Sequence, residues 1–434
     1  MAYVPNPPAV RQQMLEEIGL SSMEELFFDI PEQYRLKGLD LGRGLSEIEI
    51  QRHLTKLAAK NISSYPIFLG AGAYDHHIPV AIDQILMRSE FYTAYTPYQP
   101  EISQGILQGI FEFQSHICAL TGMDVSNASM YDAASALAEA CNIAAEVTRR
   151  KKILVPDTVN PDYLAVLKTY AQSGVFDLVT VHCSKGKVGH ELRAAIDDQT
   201  AAVAVQNPNF YGILEQDAEE IGALVHEQGG LFIMAVDPIS LGLLKSPGKL
   251  GADLVVGEGQ SLGMGLSYGG PYLGFFAGTD KMLRRIPGRI VGQTTDREGR
   301  RAFVLTLQAR EQHIRRERAS SNICSNQALN ALAAAIFLSL VGPKGLRDIA
   351  ERSHQLARYA EGELSRVGIE LLYPEPYFRE FIIKVANPAA VNRKLLAEGI
   401  IGGCELPHGL MLAFTEKRTK EEVDRLVAVI GGAR

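Results

Sequence analysis

Cysteine is scarce in this 434-residue chain. The five that occur, Cys118, Cys141, Cys183, Cys324 and Cys404, are scattered with no Cys-x-x-Cys spacing, which fits neither a zinc site nor a disulfide framework and points to a reducing compartment. There is no excess of positive charge either. Lys plus Arg is 43 against 50 for Asp plus Glu, a net charge of -7, which argues against a chain-wide nucleic-acid or anionic-membrane footprint. Long apolar runs are also missing: the most apolar stretch, Ala328 to Val341, is interrupted by Asn330 and Ser339 and falls short of the roughly 20 residues a spanning helix needs. The first residues lack a basic segment followed by an apolar one, so no secretory signal is expected and the cytoplasm is the expected location. No internal repeat or low-complexity tract is present. With 46% hydrophobic and 21% charged residues, the chain has the composition of a folded, enzyme-like body of two or three domains.

Patterning divides it into three parts. Residues 1–65 read as a helical arm, with short amphipathic pieces around Val10 to Ile18 and Ser22 to Phe28 and a longer one starting at Ser46. Ser46 and Glu49 form a capping-box pattern ahead of Ile50, Leu54 and Leu57 at helical spacing. Such an arm, with little of its own to pack on, is expected to lie on another subunit or on the main body. Residues 66–320 form a large α/β domain. Its apolar runs, Ile153–Val155, Leu178–Val181, Ala202–Val205, Leu231–Val236, Asp253–Val256 and Tyr272–Phe276, suit strands buried on both faces of a mostly parallel, helix-covered sheet. Residues 321–434 open with a long Ala/Leu-rich helix from about Asn326. They then mix strands at Ile369–Leu372, Phe381–Val385 and Met411–Phe414 with helices around Lys394 and Val423, a smaller α+β domain.

In open α/β sheets ligands bind beyond the carboxyl ends of the strands, and the residues there are polar: Gln206, Asn207 and Asn209, then Asp237, then Glu258, Gln260 and Ser261. An Asp closing one buried strand, a second strand about twenty residues later and a Gly-rich segment, Gly263–Gly270, resemble a pyridoxal-phosphate enzyme of the aspartate aminotransferase fold type. The resemblance implies that Asp237 stands where the family's Asp pairs with the pyridinium nitrogen, and that a Lys should follow the next strand. That Lys is absent. No lysine lies between Lys249 and Lys281; the place falls on or about Ser261, which cannot form an imine. At the helix start that would cradle the cofactor phosphate, Asp132 brings its own carboxylate to the free N–H groups, so this pocket is expected to be self-satisfied. Asp132, Asp237 and Ser261 thus read as vestiges of a cofactor site.

Upstream, Leu69-Gly70-Ala71-Gly72-Ala73-Tyr74-Asp75-His76-His77-Ile78-Pro79 and Phe91 to Gly105 closely resemble the glycine decarboxylase P-protein family, specifically its N-terminal half, which in many bacteria is a separate polypeptide. The likeness continues through Asn127–Asp132, Gly251–Gly257, Tyr268–Pro271 and Ile314–Cys324 and so covers nearly the whole chain. It implies a subunit of a glycine-decarboxylating enzyme of the glycine cleavage system, inactive alone, in an α2β2 assembly. It also implies that this chain binds no cofactor. Pyridoxal phosphate sits in the partner subunit, and the aminomethyl group left after CO2 departs passes to the lipoyl arm of the H-protein. No catalytic, cofactor-binding or metal-ligating residue is assigned to this chain. Candidates for lining the channel or the subunit contact are Gly70, Gly72, Tyr74 and His77 in the first motif, and Thr93, Tyr95, Tyr98, Gln99, Glu101 and Ser103 in the second. His313 with Arg315, Arg316 and Arg318 reads either as a solvated helix face or as a surface for an acidic carrier. Two rival readings stand beside this one: an independent pyridoxal-phosphate decarboxylase or aminotransferase, and a purely structural or regulatory subunit.

Overall fold

The computed structural model describes residues 6–36, 38–324, 326–407 and 409–432, and the chain separates into two units, 1–64 and 65–434. In the first unit, helices span Pro8–Glu17 and Glu47–Ala58, with a 3-10 turn at Met23–Phe27. The second helix begins as its sequence predicts. Ser46 Oγ accepts the Glu49 N–H and the Glu49 carboxylate accepts the Ser46 N–H, closing the capping box.

The second unit is built on a seven-stranded sheet of β1 (Val125–Ser126), β2 (Lys152–Pro156), β3 (Asp177–Val181), β4 (Thr200–Asn207), β5 (Leu231–Val236), β6 (Leu254–Glu258) and β7 (Gly274–Gly278), in the order β1-β7-β6-β5-β4-β2-β3. β2 to β6 are parallel; β7 is antiparallel to both neighbours. Side chains alternate between the two faces of a strand, and both faces are covered. Val203, Val205, Phe232, Met234 and Val255 enter one apolar cluster with Phe113, Ile117, Ile221, Val225 and Phe337 of three helices. Ala202, Ala204, Ile233, Ala235 and Val256 enter the other with residues of the helices Ala133–Thr148 and Pro161–Ala171. In the first of those two helices Ala136, Ala138, Ala140, Ala144 and Ala145 are buried, and these short side chains let its backbone lie close to the sheet.

Three details depart from the sequence reading. β3 is mostly exposed because it is the sheet's edge, with only β2 beside it, and an apolar run does not say whether a strand has one neighbour or two. Ile369–Leu372 forms no strand, only a single bridge from Leu371 to Ile383. A hairpin of β8 (Ile290–Thr295) and β9 (Arg301–Thr306) follows the large sheet where no strands were expected; its tip is polar and exposed, so its apolar signal is weak.

The Ala/Leu-rich helix runs from Ala328 to Arg366, with a break at Gly342-Pro343 where Gly342 takes φ +59°. One stretch of it is long and apolar enough to cross a membrane by length and composition, yet Ala331, Ala333, Ala334, Ala335 and Phe337 pack into the core of the large sheet. Beyond it, β10 (Glu380–Ile383), β11 (Cys404–Leu406) and β12 (Gly409–Ala413) form an antiparallel sheet ordered β10-β12-β11, packed with the helices Pro388–Ala397 and Lys420–Gly431. The segment after Tyr65 joins this small sheet: Phe68 donates to the Ile401 carbonyl and accepts from the Ala413 N–H, both at 2.9 Å. The chain then crosses from there to the carboxyl ends of β4, β5 and β6.

Candidate functional site: a crevice filled by its own side chains

The sheet delivers Gln206 at the end of β4, Asp237 just past β5 and Glu258 at the end of β6 into one crevice, closed by Gly72, Tyr74, Tyr163, Gln260 and Ser261. The remaining space is about 30 Å³, enough for a water molecule and far too little for an aromatic ring with a phosphate arm.

Asp237 is already engaged. The guanidinium of Arg379, just before β10, lies 2.7 Å from its carboxylate and 3.8 Å from the centre of the Tyr74 ring. Arg379 also bonds His76 Nε2. An arginine only donates, so this nitrogen must be the acceptor and the ring's proton must sit on Nδ1, which is 2.6 Å from Glu416. Burial first, and then the Arg379 charge, lower the His76 pKa, keeping the ring neutral. The other Glu416 oxygen accepts the His77 N–H at 2.7 Å.

A second branch holds the glycine-rich loop. Glu380 accepts the Ala71 N–H at 2.7 Å and the Tyr74 hydroxyl at 2.8 Å, and burial pushes its carboxyl up to about 7. Gln260 clamps the Tyr74 backbone from both sides, accepting its N–H at 3.0 Å and donating to its carbonyl at 3.1 Å. The glycines follow from this crowding: a Cβ on Gly70 would fall 2.1 Å from Glu380 Oε1, and Gly72 holds φ +112° with Asn160 Nδ2 2.9 Å from where its Cβ would be.

At the start of the helix Ala133–Thr148, Asp132 accepts the Ser135 N–H at 2.7 Å and Glu258 accepts that of Ala133 at 3.2 Å. Glu258 also takes the N–H groups of Leu273 and Gln260, and burial pushes its carboxyl up to about 7. The donors and helix dipole that would bind a phosphate therefore face two carboxyl groups. With no amine at Ser261, with Asp237 engaged by Arg379 and with this phosphate position taken, the residues present do not fit pyridoxal phosphate.

The sequence candidates fall into two places. Gly72, Tyr74, Asp237 and Ser261 line the crevice; Gly70 is buried against Glu380 beside it, and Asp132, exposed, caps the helix Ala133–Thr148. His77 contributes its backbone N–H while its side chain is exposed; the ring inside the network is that of His76. Thr93, Tyr95, Tyr98, Gln99 and Glu101 are exposed, Ser103 is half-buried, and none lines the crevice. They form a separate surface, on which Tyr95 is 80% exposed and Tyr98 accepts a bond from Arg289 at 3.2 Å. Arg379, Glu380 and Glu416 were not anticipated, because each is an ordinary residue type some 300 positions from the loop it holds. Among the described residues no group of three or more His, Cys, Asp or Glu side chains is arranged for a metal.

Comparison with known proteins gives this geometry a context. The family model for the glycine cleavage system P-protein matches residues 1–430. A probable glycine dehydrogenase (decarboxylating) subunit 1 of Syntrophomonas wolfei subsp. wolfei is 58% identical, covering 100% of this chain and 99% of its own length. A crystal structure of glycine decarboxylase (P-protein) of the glycine cleavage system, in inhibitor-bound form, superposes with a TM-score of 0.94 at 40% identity, with 100% of both chains covered. An alanine–glyoxylate aminotransferase from Nostoc sp. shares the fold at 18% identity and TM-score 0.59, over 86% of this chain and 96% of its own. The architecture is thus that of the fold type I pyridoxal-phosphate enzymes, and with a family match over nearly its entire length the chain belongs to the glycine cleavage system P-protein family.

Proposed function

We propose that this chain is subunit 1 of a two-subunit glycine dehydrogenase (decarboxylating), and that it works as the half without a cofactor. The observation that carries the reading is the pairing of full-length similarity to that enzyme with a crevice whose amine, phosphate cradle and ring space are all replaced by protein. Decarboxylation needs an electron sink that side chains do not supply. The pyridoxal phosphate is accordingly assigned to the partner subunit, in an α2β2 assembly, with the aminomethyl group passing to the lipoyl arm of the H-protein. The locale is the cytoplasm, in keeping with five unpaired cysteines.

This chain's contribution is shape and contact. The filled crevice holds the 70–77 loop rigid, and the exposed Thr93–Glu101 surface, with Ser103 behind it, is the part free to meet the partner and line its channel. Exposed Tyr92, Tyr95, Tyr98 and Ile102 give it the aromatic, apolar character of a subunit contact.

The test is glycine-dependent exchange of labelled CO2 into the glycine carboxyl, measured with this chain alone, its partner alone and the two together with lipoylated H-protein. Activity confined to the mixture is expected. Activity of this chain alone, with a borohydride-trapped lysine, would instead establish an independent pyridoxal-phosphate enzyme.

A further inference from the structure

Among the described residues, three arginines are almost wholly removed from solvent: Arg289 at 4% exposure, Arg379 at 1% and Arg418 at 4%. A buried guanidinium without a counter-charge is costly, so buried arginines are paired. Two of the three conform. Arg379 meets Asp237 at 2.7 Å, and Arg418 meets Asp75 at 3.1 Å and Glu422 at 3.6 Å. Arg289 has no such partner: among the described residues no carboxylate oxygen lies within 4.0 Å of it.

The groups bonded to it are uncharged, although a buried carboxylate, Glu311, lies close by with its Oε1 unpartnered. Nη2 reaches the Tyr98 hydroxyl at 3.2 Å and Cys324 Sγ at 3.7 Å, the guanidinium carbon lies 5.3 Å from the Tyr98 ring centre, and Nε is buried with no acceptor. Next to it, Arg310 gives its Nη groups to the carbonyls of Ile286 and Gly288, and its Nε is likewise buried without an acceptor. Glu311 offsets the Arg310 charge in part and stands 3.6 Å from His313 Nδ1. Above Arg289 the rings of Tyr98 and His313 meet edge to face at 6.0 Å, both exposed, so the guanidinium lies just beneath an open rim. Three motif segments singled out in the sequence converge here: Tyr98, Cys324, and Ala128, whose N–H donates to the Arg289 carbonyl at 2.8 Å.

We propose that Arg289 is the receptor for an oxyanion, a carboxylate or a phosphate, that this chain does not itself contain. With Nη2 held by Tyr98 and Cys324, the guanidinium has Nη1 left to donate to such an anion in a charge-assisted bond. In the assembled enzyme, a step that rests on the functional reading above, the anion is either the carboxylate of glycine or the phosphate of the cofactor in the partner subunit.

The first arm of the test needs no partner. Thermal unfolding of the full chain is followed in sodium phosphate, sodium acetate and sodium chloride at equal ionic strength. Wild type is expected to gain about 2 °C or more in phosphate or acetate over chloride; Arg289→Gln loses that gain, Arg289→Lys keeps part of it, and the exposed control Arg297→Gln keeps it all. No anion-specific gain in wild type, or an equal gain in Arg289→Gln, would overturn the proposal. If Arg289→Gln does not fold, Arg289→Lys and Tyr98→Phe serve instead: a reduced gain in both supports the site and an unchanged gain in both refutes it. The second arm identifies the source in the reconstituted enzyme. A KM for glycine raised about tenfold or more in Arg289→Lys assigns the glycine carboxylate, whereas weaker retention of pyridoxal phosphate by the complex at unchanged KM assigns the phosphate. A complex in which neither changes while assembly is intact contradicts the assignment, even if the functional reading stands.

Discussion

The guanidinium of Arg379 lies between the Tyr74 ring, 3.8 Å from its centre, and the carboxylate of Asp237, 2.7 Å away. A planar cation stacked on an aromatic ring and paired with the aspartate at the end of β5 occupies the chemical niche that a protonated pyridine holds in cofactor-bearing members of this fold.

Removing Arg379 leaves the half-buried Asp237 carboxylate without its counter-charge. Arg379→Met is expected to destabilise the protein by about 3 kcal/mol or more, measured by urea unfolding. The double variant Asp237→Asn, Arg379→Met should cost less than the sum of the single changes, since residues in one network couple; strict additivity would show that the pair is not coupled.

Installing the missing amine should not restore the site. Ser261→Lys is expected to stay colourless in pyridoxal phosphate and to yield no borohydride-stable adduct at position 261, because Asp132 and Glu258 occupy the phosphate position and the cavity holds only about 30 Å³. A stoichiometric yellow adduct on that lysine would mean that the crevice opens.

Glu380 gives a pH signature of definite sign. Its carboxyl is raised from an ordinary 4.5 to about 7, so between these values the folded chain binds more protons than the unfolded one. Stability then falls as pH rises through that window. His76, lowered from 6.5, contributes the opposite slope, because the unfolded ring takes up its proton first as pH drops. Glu380→Gln should remove the Glu380 share of the falling component and leave that of Glu139, Glu215 and Glu258, whose carboxyls are likewise raised to about 7, together with the opposite His76 slope, read from unfolding midpoints between pH 5 and 8. A wild-type and variant difference independent of pH would refute the assignment.

Close approach at Gly70 predicts a steric penalty. Gly70→Ala puts a methyl group 2.1 Å from Glu380 Oε1 and 2.5 Å from Ala413 Cβ, both in buried surroundings, and should cost about 1–3 kcal/mol in the same unfolding assay. By contrast Gly269→Ala meets nothing within 4 Å, and its smaller cost should reflect φ +108° alone.

Much of the architecture could be read from residue pattern. The consecutive apolar runs of β4 and β5 announce burial on both faces, Ser46 and Asp132 announce helix starts, and the gap between Lys249 and Lys281 announces the lost anchor. What stayed hidden is relational. β3 carries the same kind of apolar run as its neighbours, and only the strand order makes it an edge. Arg379, Glu416 and His76 carry no local signal, because their meaning comes from contacts spanning some 300 residues of chain. His77 drew notice in place of His76 because adjacent identical residues point in different directions, and spacing does not say which one turns inward.

Contacts of the 70–77 loop with Arg379, Glu380 and Glu416 also bear on how the subunit is made. Enzymes of this architecture that carry a cofactor have that molecule as a keystone, and their empty forms lack it. Here the keystone is encoded in the gene product itself. On the function proposed above, the support of this loop comes with the chain itself, so vitamin supply would bear on the partner subunit rather than on this one.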